Sequence, residues 1–359
     1  EADAIYIFGQ NPGTNHPRML GDLQKAAKRG CKILTFNPLI EAGLKAFVHP
    51  QHVGAMALNI KTDISTHYYQ PLIGGDLAAM RGMMKYVFEQ EDKVGGILDK
   101  EFIDEHCSGF DEFQKTVQDE NWDNLIFQSG LTKEQIIEAA DVYINSKKVI
   151  ICWAMGLTQH RHGVANIQEC INLLLLRGNM GRPGAGACPV RGHSNVQGDR
   201  TVGITEHPSE TFSQNLEKAF NFTSPRKHGL SAVHSIKAMD SGEAKFFFGM
   251  GGNFAAATPD TELTFAAMQK CSMTVHVSTH LNRSHVIHGK KALILPCLGR
   301  SELDVQADGP QAVTVEDSMS MVHASQGSNL PASTSLKSEP AIVAGMGKAL
   351  LPDAVDWDK

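Results

Sequence analysis

The residues best suited to chemistry lie between Arg191 and Gly198, where the chain reads Arg-Gly-His-Ser-Asn-Val-Gln-Gly. One guanidinium, one imidazole and two amides fall within eight residues. Arg191 can clamp a carboxylate or another anion through paired N–H donors. His193, Asn195 and Gln197 offer hydrogen bonds to a polar heterocycle, and Gly192 and Gly198 let the backbone approach closely. The whole tract from 178 to 200 is polar and rich in glycine. A loop of that length is costly to order unless a ligand or a function requires it.

Three further loops have the same character. Gly9-Gln10-Asn11-Pro12-Gly13-Thr14-Asn15-His16-Pro17-Arg18 follows an apolar run and leads into a helical pattern. Free amides and the dipole at such a helix start favour a phosphate. The spacing is not G-x-G-x-x-G, so the ordinary dinucleotide fingerprint is absent. Asn37-Pro38 closes the next apolar run, where dinucleotide folds reach a ribose or base. Met155-Gly156-Leu157-Thr158-Gln159 and His160-Arg161-His162 follow a third run. Read locally, each loop also serves as an ordinary polar turn. The His160 and His162 pair brings no third metal ligand into view, and neither do His276, His280, His285 and His288. P-loop, G-x-S-x-G and H-E-x-x-H patterns are missing, so no self-contained nucleophile and base pair is expected.

Composition sets the bounds. The 359 residues are 42% hydrophobic and 20% charged, which describes a globular chain of about two domains. A net charge of −6 argues against a nucleic-acid partner. No apolar stretch approaches the ~20 residues that span a bilayer, so no membrane segment is expected. The seven cysteines are scattered and form no C-x-x-C pair, which points to reduced thiols in a cytoplasmic protein. The chain opens directly on a strand and lacks an initiator Met, so further residues are expected upstream.

The elements that must position these loops alternate. Ala4–Phe8, Lys32–Phe36 and Val149–Trp153 read as strands. Helices are expected near 18–28, 75–90, 110–119, 133–145 and 164–177. Thr132 and Gln135 form a capping-box pattern at the fourth of these. The order strand, loop, helix, strand implies parallel sheets. It recurs at 245–248, Gly249-Met250-Gly251-Gly252-Asn253, 260–270, 273–277 and 292–295. Two α/β domains are therefore expected, 1–150 and 151–350, with 309–338 irregular.

Taken together, GQNPGTNHPR, KILTFNP, WAMGLTQH and LLRGNMGRPGAGACPVRGHSNVQGD resemble the molybdopterin-bis(guanine dinucleotide) oxidoreductases. The likeness is greatest to formate-dehydrogenase-like, YdeP-type alpha subunits, of which this chain would be a central-domain fragment. The resemblance implies an α/β fold with two Rossmann-like domains, as in formate dehydrogenase and DMSO reductase. It also implies two molybdopterin guanine dinucleotides with Mo or W, and a [4Fe–4S] domain upstream. Gly9, Asn11, Pro12, Thr14, His16 and Asn37 would serve one nucleotide. Gly249, Gly251, Asn253, Ser278 and Thr279 would serve the other. Met155, Gly156, Thr158, Gln159, Gly192, Asn195, Gln197 and Gly198 would touch pterin or phosphate groups. Arg191 and His193 would be catalytic, acting on a small-molecule substrate, and the electrons would go to an acceptor protein or subunit that the resemblance does not identify.

Two positions depart from the family pattern. His193 stands where formate dehydrogenases carry Gln, so formate is not specified, and Asn37 stands where Asp is usual. The metal's protein ligand is not identified, and a closing barrel is expected downstream. Without these parts the fragment is expected to be inactive and to hold no cofactor. Two other classes fit the same loops: a non-redox nucleotide-binding module and a scaffold homologue without metal.

Overall fold

In the computed structural model, which describes residues 1–353, 356 and 357, the chain divides into two compact units, Glu1–Gly192 and His193–Lys359. The sequence placed the division at 150. The two strands Val149–Trp153 and Gly186–Pro189 add to the first sheet instead, which carries the first unit on to Gly192.

The first unit is built on a five-stranded, wholly parallel sheet. Ala4–Phe8 is central, with Lys32–Phe36 and then His67–Tyr69 on one side. Val149–Trp153 and then Gly186–Pro189 lie on the other. Ala4–Phe8 is buried along its length, because alternate side chains feed two cores. Ala4, Tyr6 and Phe8 pack with Leu34, Phe36, Ile151 and the helices Asp76–Val94, Lys133–Ile144 and Gly163–Leu175. Ile5 and Ile7 pack on the other face with Ile33, Leu44 and Leu20, Leu23 and Ala26 of the helix Met19–Lys28. The expected capping box is present at Thr132, whose hydroxyl accepts from the Gln135 backbone.

The tract 178–200 is not one loop. Gly186–Pro189 pairs in register with Ile150–Trp153, and Val196–Thr201 is a short helix. The first loop also holds a helical turn, Pro12–Asn15, started by proline and capped by Asn11.

The second unit contains a three-stranded parallel sheet ordered Lys291–Pro296, Met273–Ser278, Phe246–Met250. Ala232–Ser241 and Thr261–Lys270 pack beside it around Ile236, Met239, Ala267 and Met268. The tract from 309 to 338 is more regular than expected. Gly309–Gln311 pairs antiparallel with Asp304–Gln306, and Val313–Glu316 pairs with Val322–Ser325. No helix among the described residues is long and apolar enough to cross a membrane.

One buried bond joins the first sheet to its helical layer. The Tyr6 hydroxyl donates to the Ala139 carbonyl at 2.6 Å. Tyr6→Phe removes that bond, leaving the Ala139 carbonyl its intrahelical partner alone, and should destabilise the protein by ~0.5–1.5 kcal/mol. An unchanged denaturant midpoint for the variant would show that the bond contributes nothing.

Candidate functional site

The chain leaves the central strand Ala4–Phe8 toward one side of the sheet and returns to its other side at Val149–Trp153. That reversal is a topological switch point, where open α/β sheets bind ligands beyond the carboxyl ends of the strands. Gly9 and Gly156 meet there. The Gly156 amide donates to the Gly9 carbonyl at 3.0 Å. A Cβ on Gly156 would lie 2.5 Å from the Gly9 Cα and carbonyl oxygen. A Cβ on Gly9 would lie 2.8 Å from the Gly156 backbone, and Gly9 also has φ +55°. Only two glycines allow the first and fourth strand–helix loops to touch in this way.

The rest of the first loop is tied down around this contact. The Asn11 side chain accepts from the Thr14 amide at 3.2 Å and donates to Glu41 at 2.6 Å. Asn37 donates its backbone amide to the Tyr69 carbonyl. The Tyr68 hydroxyl accepts from the Glu41 amide and donates to the Leu39 carbonyl. His16 Nε2 lies 2.6 Å from the Arg191 carbonyl. Since the carbonyl can only accept, Nε2 carries the proton, and in the neutral ring Nδ1 is an acceptor. The His16 bond, with Val190 donating to the Trp153 carbonyl at 2.8 Å, fixes the backbone on either side of Arg191. Met155, Gly156, Thr158 and Gln159 are exposed along the rim.

Four buried acceptor atoms of this unit have no hydrogen-bond partner among the described residues: Gln10 Oε1, His16 Nδ1, Asp76 Oδ1 and Asn166 Oδ1. Unpaired buried acceptors are rare and costly. Each lies at or just beyond the carboxyl end of the sheet. Gln10 and His16 sit in the first loop. Asn166 donates to the carbonyl of Leu157, next to Gly156. Asp76 opens the helix after the third strand and is 4% exposed. Burial lifts its carboxyl from the ordinary 3.8 to about 6, with the charge of His160 acting in the opposite direction. Gln10, Asp76 and Asn166 were not singled out from the sequence. The only signal for Asp76 is the Gly74-Gly75-Asp76 turn, which also suits a plain helix start.

In the second unit the expected residues form an internally bonded set. Gly249 lies inside the strand Phe246–Met250, whereas Gly251 and Gly252 make the turn, each at φ +67°. Asn253 accepts from the amide and hydroxyl of Ser284, and Asn282 donates to the Gly252 carbonyl. Ser278 donates to the His280 carbonyl, and the Thr279 hydroxyl lies 3.2 Å from Nδ1 of the His280 ring. Asn195 accepts from the Glu316 amide, and Gln197 donates to Glu316 and Ser320. These amides anchor the segment 195–198 to the hairpin 313–325. His193 is exposed, and Gly198 packs against Asn195.

Residues 1–288 match the family described as Molybdopterin oxidoreductase. The chain belongs to the molybdopterin oxidoreductase family. It is 49% identical to Protein YdeP of Escherichia coli over 360 residues, covering 99% of this chain and 47% of that protein. It is 49% identical to an uncharacterized oxidoreductase of Mycobacterium tuberculosis, covering 100% of this chain and 46% of that protein. A putative formate dehydrogenase of Staphylococcus aureus is 28% identical over 269 residues, covering 71% of this chain and 27% of the relative. The chain thus spans about half the length of the first two of these relatives. The solved acetylene hydratase from Pelobacter acetylenicus superposes with a TM-score of 0.62 at 17% identity, covering 97% of this chain and 47% of that one. That likeness concerns the fold alone, and it agrees with the two parallel-sheet units expected from the sequence. Family membership in turn implies a molybdopterin cofactor with Mo or W.

Two outcomes follow from the site. Gly156→Ala forces the first and fourth loops apart and should cost ~1–3 kcal/mol in chemical denaturation; a wild-type midpoint would mean that the contact is loose. The raised Asp76 carboxyl opposes folding when charged. That penalty is absent below the unfolded pKa, grows as pH rises, and is complete above about 6. Asp76→Asn should therefore gain stability relative to wild type as pH rises from about 4 to about 8, by up to ~3 kcal/mol. A difference that does not change with pH, measured by melting at a series of pH values, contradicts the assignment.

Proposed function

We propose that this chain is the central part of an oxidoreductase that binds two molybdopterin guanine dinucleotides and oxidises or reduces a small anionic substrate. The carrying observation is the set of four unpaired acceptors, Gln10 Oε1, His16 Nδ1, Asp76 Oδ1 and Asn166 Oδ1, around the Gly9 and Gly156 contact. A ligand that satisfies them must be rich in N–H donors. The 2-amino and ring N–H edges of guanine and pterin have that character, whereas a phosphate has none. The residues present therefore fit the group that the family implies.

In this reading Gly9, Pro12, Thr14 and Asn37 border one nucleotide, with Asn11 and His16 holding the loop in shape. Met155, Gly156, Thr158 and Gln159 supply an open rim to pterin or phosphate. Gly251 lets the second glycine turn approach the other nucleotide, beside Ser278 and Thr279, while Asn253 and Gly249 fix that turn and its strand. Asn195 and Gln197 act by holding the segment 195–198 on its hairpin, with Gly192 and Gly198 permitting close approach. When bound, the metal and its two pterins supply the two-electron chemistry. Arg191 binds and orients the substrate anion through its paired N–H donors. His193 stands by as a proton carrier, since an imidazole can both accept and donate a proton.

A [4Fe–4S] domain in the longer protein and a separate electron acceptor belong to the same proposal, as does the inactivity of this portion alone. All seven cysteines are free thiols, which supports a cytoplasmic setting. A non-redox nucleotide module remains the second reading, since the glycine turns alone would serve it. In the full-length protein, Arg191→Ala should lose at least ~100-fold in turnover while metal and nucleotide content stay at wild-type levels. Turnover that survives the substitution, or cofactor lost along with it, removes the assigned role.

A further inference from the structure

Cys152 and Cys188 are direct partners in neighbouring parallel strands, in register between Ile151–Ala187 and Trp153–Pro189. Both belong to the same side of the sheet, the one that carries Ile5, Ile7 and Ile33. Register partners in adjacent strands sit ~4.8 Å apart, inside the ~4.4–6.8 Å over which two cysteines can be joined. Cys152 is the first influence on the Cys188 thiol and holds it below its ordinary range, while Cys188 raises Cys152, which burial raises further. Cys152 is buried while Cys188 is partly exposed, so the more acidic thiol is also the more accessible one. The remaining cysteines with a resolved shift, Cys31, Cys107, Cys170, Cys271 and Cys297, are all raised, with burial as the first cause. Reactivity toward oxidants follows thiolate character and access, and both select Cys188.

We propose that Cys188 and Cys152 form a redox-modification site, an attacking and a resolving thiol that a hydroperoxide converts to a disulfide. The Cys188 thiolate attacks the peroxide, forming an S–O bond and breaking O–O, and the departing oxygen takes a proton and leaves as water or an alcohol. Cys152 then attacks the Cys188 sulfur. S–S forms, S–O breaks, and the second oxygen leaves as water with the Cys152 proton. Two thiols supply two electrons, and a dithiol reductant returns them. The location gives the modification a consequence. Cys188 lies three residues before Arg191, and Cys152 three before Met155, so the bond staples the roots of two candidate-site segments.

Hydrogen peroxide applied to the purified full-length protein tests this, read by intact mass and peptide mapping. The expected product has lost two hydrogens, carries a Cys152–Cys188 crosslink, and returns to the starting mass with dithiothreitol. Cys152→Ser should instead accumulate sulfenic acid on Cys188, trapped by dimedone. Alkylation of the unmodified protein with iodoacetamide should label Cys188 first, with a pH midpoint below that of an ordinary thiol, a readout that needs no variant. Sulfenic or sulfinic acid accumulating on wild-type Cys188, or faster oxidation of another cysteine, overturns the proposal.

Discussion

The contact between Gly9 and Gly156 is the constraint on which the first unit's site depends. The register between the central strand and Val149–Trp153 ends at Phe8 and Trp153, and just beyond it the Gly156 to Gly9 bond ties the two loops together. Any side chain at either position would collide with backbone, which cannot move aside as a side chain tip can. From that point the chain of contacts continues outward. Trp153 receives Val190, and the carbonyl of Arg191 receives His16, which returns to the loop that Gly9 began. The arginine's backbone is thus held through strand pairing and one imidazole.

Much of this was legible in the sequence because the elements carry strong local signals. Buried parallel strands read as apolar runs, and Ala4–Phe8, Lys32–Phe36 and Val149–Trp153 do so plainly. Gly186–Pro189 does not: Gly-Ala-Cys-Pro has neither apolar bulk nor alternation, and only its pairing makes it a strand. Missing it put the division between units some forty residues too early. The hairpin 313–325 was hidden for a related reason, since its two strands are short and largely exposed.

The site was less legible than the fold. Residue type identified the polar loops but not which polar atoms are already engaged. Asn11, Asn195, Gln197 and Asn253 look alike in sequence to Gln10 and Asn166. In the structure the first four use their amides within the chain, while Gln10 and Asn166 keep buried acceptors unpaired. Asp76 lies far along the chain from the first loop, which ends at Arg18, and only the sheet brings it to the same edge. The adjacency of Cys152 and Cys188 likewise follows from strand pairing and from nothing in their spacing.

Family membership and the unpaired acceptors converge on a donor-rich, pterin-type ligand, and its composition can be measured directly. Full-length protein should be purified, denatured, and assayed for Mo or W, oxidised pterin and released guanine nucleotide. Two pterins and two guanine nucleotides per metal ion are the predicted result. Guanine nucleotide recovered without pterin or metal would contradict the account and leave the nucleotide-binding module in its place.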